Sequence, residues 1–504
     1  MSLAILGSQA QNGLQGIPVR VEIHLSPGLP VFHVVGLPDT GVRESRDRVR
    51  SAIASSGFDF PKGRITVNLA PADLPKESGR YDLPIALGIL MASGQIPWAS
   101  EERLEQWSRC VIAGELSLTG AVVEIANALA MALAVDRLPH EGLMILPVAA
   151  AGIAAHVPGL KAFAASSLRQ VVEHFSGAQA LPVAPPCAVH TPDELPLCLS
   201  DVRGQTQARR VLEVVAAGGH SLLMSGPPGT GKSMLAQRLP GLLPELTNEQ
   251  ALEASALAGY GKTARPVLFR TPPFRTPHST STLAALVGGG ANPQPGEISL
   301  AHHGVLFTDE LPHFRKPVIE ALRAPLENGA VSIARAGRTV TFPTCFQWVA
   351  AMNPCPCGWL GHPRTACRCS PDQIERYRSS VSGPLLDRLD VQIALQPLPR
   401  GWMQLPRGEA SGAVAERVQA CRTRQIKRQG MLNARLTPTA TERWCTPDDQ
   451  GRQLLDQAVE RWDWSARVVH RVLRVARTVA DMRHADITCA TDLAEAIQYR
   501  QPWP

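Results

Sequence analysis

Three short apolar runs punctuate the middle of this chain: Ser221-Leu222-Leu223-Met224, Gly304-Val305-Leu306-Phe307 and Phe346-Gln347-Trp348-Val349-Ala350-Ala351-Met352. Runs of this length suit strands covered on both faces, as in a parallel sheet flanked by helices. Met234-Leu235-Ala236-Gln237-Arg238-Leu239 follows the first run with a helical pattern. Nearer the N-terminus the pattern changes. Ile17-Pro18-Val19-Arg20-Val21-Glu22-Ile23 and Ile65-Thr66-Val67-Asn68-Leu69 alternate as half-buried strands do, and Asp82 to Met91 and Ala126 to Ala134 read as helices. Periodicity stops in the Pro-rich stretch around Leu181-Pro182-Val183-Ala184-Pro185-Pro186. A second Pro/Gly-bearing stretch, Pro397 to Gly412, precedes a helical remainder. These breaks predict an α+β N-terminal domain over 1–175, a linker over 176–198, an α/β core over 199–398 and a helical lid over 399–504. No repeat of solenoid length is present.

The loop between the first strand and its helix carries chemistry. Gly226-Pro227-Pro228-Gly229-Thr230-Gly231-Lys232-Ser233 matches the phosphate-binding pattern G-x-x-x-x-G-K-[ST] at every constrained position. Backbone N–H groups of such a loop wrap phosphates, the lysine reaches the β- and γ-phosphates, and the serine ligates Mg²⁺. ATP and Mg²⁺ are therefore the expected cofactors. The second run ends in Asp309-Glu310. Asp309 at that strand end is placed to hold Mg²⁺, and Glu310 to polarise the attacking water. The third run ends in Asn353, a polar tip beside the γ-phosphate. This order of strands resembles the AAA+ ATPases, with Asn353 as sensor 1. Within that resemblance, Gly383-Pro384-Leu385-Leu386-Asp387-Arg388-Leu389-Asp390 looks like the segment bearing an arginine finger, Arg388. Ser465-Ala466-Arg467 looks like the start of the sensor 2 helix, with Arg467 as the sensor.

Composition narrows the setting. The chain has 504 residues and a formal net charge of +6, which permits nucleic-acid binding without arguing for it. No apolar stretch approaches a membrane span, and Met1-Ser2-Leu3-Ala4-Ile5-Leu6-Gly7 lacks the basic start and long apolar core of a signal peptide, so a cytoplasmic protein is expected. Four of the eleven cysteines fall together as Cys355-Pro356-Cys357 and Cys367-Arg368-Cys369. Close pairs across a short loop in a reducing compartment point to a metal, and four thiolates suit tetrahedral Zn²⁺. An iron–sulfur cluster and free thiols are the alternatives, and His362 is a spare ligand. The other cysteines are scattered.

Leu326 to Pro343 alternates on either side of Ala336-Gly337, as a β-hairpin does, with Arg335 and Arg338 flanking its tip. A hairpin here, just before the sensor 1 strand, suits a loop that grips DNA phosphates inside a ring. The alternative is a solvated turn whose arginines discourage edge pairing. A Pro/Gly-rich insert, Pro273-Phe274-Arg275-Thr276-Pro277-His278-Ser279-Thr280 and Ala285-Leu286-Val287-Gly288-Gly289-Gly290, resembles the helix-2 insert of Mg-chelatase and MCM-type AAA+ proteins. His278 within it reads as an ordinary loop histidine.

The N-terminal part resembles the Lon-protease-like fold through Pro75-Lys76-Glu77-Ser78-Gly79-Arg80-Tyr81-Asp82-Leu83-Pro84 and Ala113-Gly114-Glu115-Leu116-Ser117-Leu118-Thr119-Gly120. In the protease a serine nucleophile follows the glycine, and a lysine lies in the later helix. Here Asp82 holds the first position and the helix from Ala126 has no lysine. A Ser-Lys mechanism needs both, so peptidase activity is not expected and the domain is read as an assembly or partner module. Together with Gly296-Glu297-Ile298-Ser299-Leu300-Ala301-His302 and Ala351-Met352-Asn353-Pro354-Cys355-Pro356-Cys357-Gly358, these pieces resemble the ComM/YifB family of Mg-chelatase-like ATPases over nearly the whole chain. That resemblance implies a hexameric DNA helicase, acting on single-stranded or branched DNA, that promotes branch migration in recombination during natural transformation. Two departures stand out: Thr308 where the family usually has an aliphatic residue, and His278-Ser279 for a usual His-His. The competing classes are a Mg-chelatase-type motor or protein remodeller without DNA activity, and an ATP-dependent protease.

Overall fold

The structure is a computed structural model, and it describes residues 3–37, 40–72, 74, 76, 79–96, 107, 109–136, 142–189, 197–260, 270–290, 292–335 and 338–500. The chain divides into two compact units, residues 1–191 with 247–270, and residues 192–246 with 271–504.

In the first unit, strands Leu3–Asn12, Gln15–Ser26 and Arg64–Ala70 are antiparallel neighbours, and Val31–Val35 adds parallel to the last of them. The predicted alternation is realised: Val19, Val21 and Ile23 are buried, as are Ile65, Val67 and Leu69 on the next strand. Their apolar face packs on helix Asp82–Ala92, all of whose residues are buried. A short parallel sheet follows, Val111–Ile112, Gly142–Pro147 and Leu160–Ala165. Helix Leu168–Ser176 then closes the predicted domain, stopped by Gly177 in the left-handed region at φ 81°.

Two features differ from the predicted boundaries. The described part of the Pro-rich stretch is pinned rather than free. Ala164 N–H donates to Pro182 O at 3.0 Å, Ala184 N–H to Ala162 O at 2.8 Å, and Cys187 N–H to Gly152 O at 3.0 Å. Prolines lack a donor but still accept, so the segment anneals to the edge of Leu160–Ala165. Second, helix Asn248–Ala258 interrupts the sequence of the α/β core yet belongs to the first unit. A Thr247–Gln250 capping box starts it, and it packs on helix Ala128–Asp136 with Ala251, Leu252, Ala254, Ala256 and Leu257 buried. Tyr260, just beyond it, donates its hydroxyl to Gly13 O.

The second unit is built on a five-stranded parallel sheet in the order Phe274–Arg275, Val305–Thr308, Gln347–Met352, Leu222–Ser225, Val391–Ala394. The three predicted apolar runs form its centre, and they are buried throughout because helices cover both faces. One apolar cluster runs from this sheet through helix Thr206–Gly218 into helices Ser411–Gln429, Ala466–Met482 and Ala490–Gln498. The helical C-terminal part thus shares a core with the sheet. A buried clasp adds to it. Asp390, just before the edge strand, accepts Ser221 N–H at 2.9 Å and Ser221 Oγ–H at 3.0 Å, and pairs with Arg471 of helix Ala466–Met482. Burial alone would raise the Asp390 pKa, but Arg471 and His220 outweigh it and hold the carboxyl well below the usual range. Among the described residues no helix is long and apolar enough to cross a membrane.

Candidate nucleotide site

Strand Leu222–Ser225 lies between Gln347–Met352 and the edge strand Val391–Ala394, and the phosphate loop leads from its end into helix Lys232–Arg238. Gly231 caps that helix at φ 91°, with open space where a side chain would lie, so the loop presents bare backbone to a ligand. The Lys232 ammonium donates to Gly226 O at 2.7 Å, Pro227 O at 3.0 Å and Asn353 Oδ1 at 3.1 Å. Burial lowers its pKa, opposed by Asp309 and Glu310. Ser233 Oγ–H donates to Asp309 Oδ2 at 2.6 Å. A hydroxyl and a carboxylate oxygen side by side at a helix N-terminus fit a hard, oxygen-ligated cation beside a polyphosphate. Ser233 and Asp309 would hold Mg²⁺; Lys232 and the loop N–H groups would hold the phosphates, and the cation would neutralise charge developing on them.

The acidic strand delivers its two carboxylates in different environments. Asp309 also accepts the Glu310 N–H at 2.9 Å. Glu310 sits in the left-handed region at φ 52°, an unusual conformation for a residue with a side chain, and its carboxylate is 58% exposed. Thr308, the departure noted in the sequence, has a local reason. Fully buried, it accepts the indole N–H of Trp348 at 3.0 Å from the adjacent strand. A buried Trp N–H needs an acceptor that an aliphatic side chain lacks.

Sequence reasoning missed the far wall of this site. A cavity of about 360 Å³ runs from Gly229–Leu235 to Val202, Arg203, Leu398 and Trp402. Gln205, with φ 47°, ties its two sides by donating to Thr230 O at 3.2 Å and Gln396 O at 2.9 Å. The apolar wall and an indole suit a nucleoside. Only Gln205-like turn chemistry and an isolated Trp402 marked these residues in the sequence, and neither points to a site by itself.

Family models place the chain. "Magnesium chelatase, subunit ChlI" matches residues 198–402, "Subunit ChlI of Mg-chelatase" matches 21–149, and "Magnesium chelatase, subunit ChlI C-terminal" matches 408–500. The chain is 44% identical over 507 residues to the competence protein ComM of Haemophilus influenzae, covering 99% of this chain and 98% of that one. It is 43% identical over 504 residues to YifB of Escherichia coli, covering 99% and 97%. The chain belongs to the ComM/YifB family of Mg-chelatase-like AAA+ ATPases.

The remaining residues that the AAA+ resemblance singled out fall in three places. Asn353 stands at the tip of its strand against Lys232. Arg388 is 8% exposed, donating to Pro384 O at 2.7 Å and paired with Glu327, so it is folded onto its own subunit. Arg467 is exposed in the first turn of helix Ala466–Met482, which Ser465 caps. That helix is anchored at the amino ends of the strands, through Arg471 to Asp390 and Thr478 to His220 at 2.8 Å, whereas the phosphate loop is at their carboxyl ends. Neither arginine lines the nucleotide cavity.

The four clustered cysteines converge. Their sulfurs lie within 4.8 Å of one another, with Cys355 to Cys357 at 3.4 Å, Cys357 to Cys367 at 3.5 Å and Cys355 to Cys367 at 3.6 Å. A tetrahedral zinc with Zn–S bonds near 2.3 Å puts its sulfurs roughly 3.8 Å apart, so the donor set fits. Backbone N–H groups of Arg368 and Trp359 lower the Cys357 thiol to about 6, while desolvation and the neighbouring sulfurs raise Cys367 and Cys369. The cluster is built against the phosphate loop. A Cβ on Gly358, at φ 81°, would stand 2.7 Å from Pro228 Cδ.

The hairpin forms as strands Ala330–Arg335 and Arg338–Pro343, with Arg335 opposite Arg338 and the base pinned by buried Ile333, Val340 and Phe342. Arg335 is exposed; the turn at 336–337 and the Arg338 side chain lie outside the described residues. In the N-terminal unit, Pro75, Glu77 and Ser78 also lie outside them. Asp82 is fully buried, accepting Arg48 Nε–H at 2.6 Å, Leu116 N–H at 3.3 Å and the Ser45 hydroxyl. Its carboxylate is thus consumed by structural partners.

Proposed function

We propose that this protein is an ATP-hydrolysing ring motor, a homo-hexamer, that engages single-stranded or branched DNA, unwinds duplex and drives branch migration during recombination in natural transformation, in the cytoplasm. In this reading Lys232, Ser233 and Asp309 bind Mg·ATP, Glu310 activates water and Asn353 senses the γ-phosphate. Arg388 completes the site of a neighbouring subunit as its arginine finger, and Arg467 is the sensor 2 residue. That Arg388 does not line the nucleotide cavity of its own subunit supports a role in trans, and it must leave Glu327 to play it. Cys355, Cys357, Cys367 and Cys369 hold a structural Zn²⁺ that braces the loop through Gly358. The name of the Haemophilus relative supports a competence role. The reading keeps the domain plan expected from sequence, with 248–258 and the described part of the Pro-rich stretch assigned to the N-terminal part.

The observation that carries the DNA reading is the hairpin, a two-stranded element with a buried apolar base and Arg335 in register with Arg338 beside its turn. Replacing Arg335 and Arg338 by alanine tests it. Single-strand affinity should fall, and its salt slope should flatten by about one unit for each phosphate no longer neutralised. Unwinding should cease while basal ATP hydrolysis survives. A double variant that binds and unwinds DNA normally sinks the reading. The match to a magnesium chelatase subunit over 198–402 supports a second reading, a motor that remodels a protein partner. An ATPase insensitive to DNA favours that one.

A further inference from the structure

Glu310 follows its strand through a left-handed residue into the single turn Leu311–His313, and this turn brings His313 back over it. The His313 Nδ1 lies 3.2 Å from Glu310 Oε2, while the His313 backbone N–H donates to Glu310 O at 2.8 Å. A carboxylate only accepts, so Nδ1 is the donor of this bond. The imidazole is itself held. Its ring meets Tyr377 edge to face, with centroids 6.0 Å apart and planes at 73°. Tyr377 is on helix Pro371–Arg378, which a Ser370–Gln373 capping box launches immediately after Cys369. Its phenol sits against the backbone N–H of Asn353, and burial pushes the phenol up to about 12, so it remains a neutral hydroxyl.

We propose that His313 is a positioning residue for ATP hydrolysis: it aims the Glu310 carboxylate, and Tyr377 ties that aim to the strand tip bearing Asn353. The proposal rests on the reading of Glu310 as the group that activates water. The turn fixes the backbone of Glu310 but leaves its side chain more than half exposed, with rotamers that water would otherwise populate. One bond from a ring that rests against Tyr377 favours that rotamer. The pair contributes little to stability, because half-exposed ion pairs and hydrogen bonds are largely screened. What it supplies is geometry, and misplacing a reacting group by an ångström costs rate steeply.

The experiment compares His313→Ala, His313→Asn and Glu310→Gln in the full-length chain, measuring kcat, the KM for ATP and the melting midpoint. Asn places an amide donor where Nδ1 was. His313→Ala should lower kcat by about tenfold with KM and melting unchanged. His313→Asn should return kcat to within about twofold of the parent. A normal kcat in His313→Ala overturns the proposal. So does an increase, which would mean that the bond restrains the carboxylate. So does an Asn variant as slow as the Ala variant, since the donor would then not be the active feature. Glu310→Gln separates this from the underlying reading: if it turns over normally, Glu310 is not the base and the failure lies there.

Discussion

Replacing Asp390 by asparagine removes the charge from the clasp between the edge strand and helix Ala466–Met482 while keeping its shape. The carboxylate is 5% exposed and Arg471 is 21% exposed, so both lose most of their hydration on folding. Removing one partner of a buried pair costs about 3–5 kcal/mol, because the other charge is stranded. Arg471 can still turn partly toward water, and asparagine can still accept from Ser221, so the lower end applies, about 3 kcal/mol. At roughly 1.5–2 °C per kcal/mol for a unit of this size, the melting midpoint should drop roughly 5–6 °C. Followed by far-ultraviolet circular dichroism, the double variant Asp390→Asn, Arg471→Met should lose less than the two single variants together, since each removes the same interaction. The pH dependence carries the sign. The folded carboxyl is held below its ordinary value, so its stabilisation is complete above the unfolded pKa of about 3.9 and is lost as pH falls below it. The deficit of the asparagine variant should therefore be constant from pH 7 to 5. Below about pH 4 it should narrow by about 1.4 kcal/mol per pH unit. A variant that melts within about 2 °C of the parent refutes this account. So does a deficit that widens in acid.

Other outcomes follow from the site. Lys232→Ala should abolish nucleotide binding, and Glu310→Gln should bind ATP and fail to release it as ADP; wild-type turnover in the latter would remove Glu310 from the chemistry. Elemental analysis should find one zinc per chain, and Cys355→Ser with Cys357→Ser should lose it and weaken ATP binding through the Gly358–Pro228 contact; a metal-free parent protein would leave four free thiols. Thr308→Val keeps the volume but leaves the Trp348 indole N–H without its acceptor, which should cost about 1–3 kcal/mol in urea unfolding. No loss there would mean that Trp348 finds another partner.

What could be read from the sequence was local. The apolar runs at 222–225, 305–308 and 347–352 announce buried parallel strands because both faces must be apolar, and the phosphate loop follows because its glycines answer to backbone geometry alone. The hairpin was visible in its period of two. What stayed hidden depends on partners far apart along the chain. Asp390 finds Arg471 81 residues later, and Arg388 finds Glu327 61 residues earlier. The helix Asn248–Ala258 has a legible start in its capping box, but nothing in its own pattern says which core takes its apolar positions. The Pro-rich segment reads as a break because prolines cannot donate, yet Pro182 O accepts from Ala164 and the N–H groups of Ala184 and Cys187, set among the prolines, donate. The His313–Glu310 bond spans only three residues and was still missed, because it depends on a left-handed residue that the sequence Asp-Glu-Leu-Pro does not advertise.

The placement of Asn248–Ala258 bears on how this polypeptide can be dismantled and recombined. A single scission near residue 191 would leave the amino-terminal fragment without a helix it buries, and would leave the carboxyl-terminal fragment trailing that helix with Ala251, Leu252 and Leu257 bare. The first fragment should then gather into aggregates or be digested, and the second should stick to surfaces. Chimaeras between relatives face the same constraint. An amino-terminal half taken from one parent must bring its own 248–260 along, by two extra crossovers, or the seam will join cores that never evolved together. The unit of inheritance here is discontinuous in sequence, though compact in space.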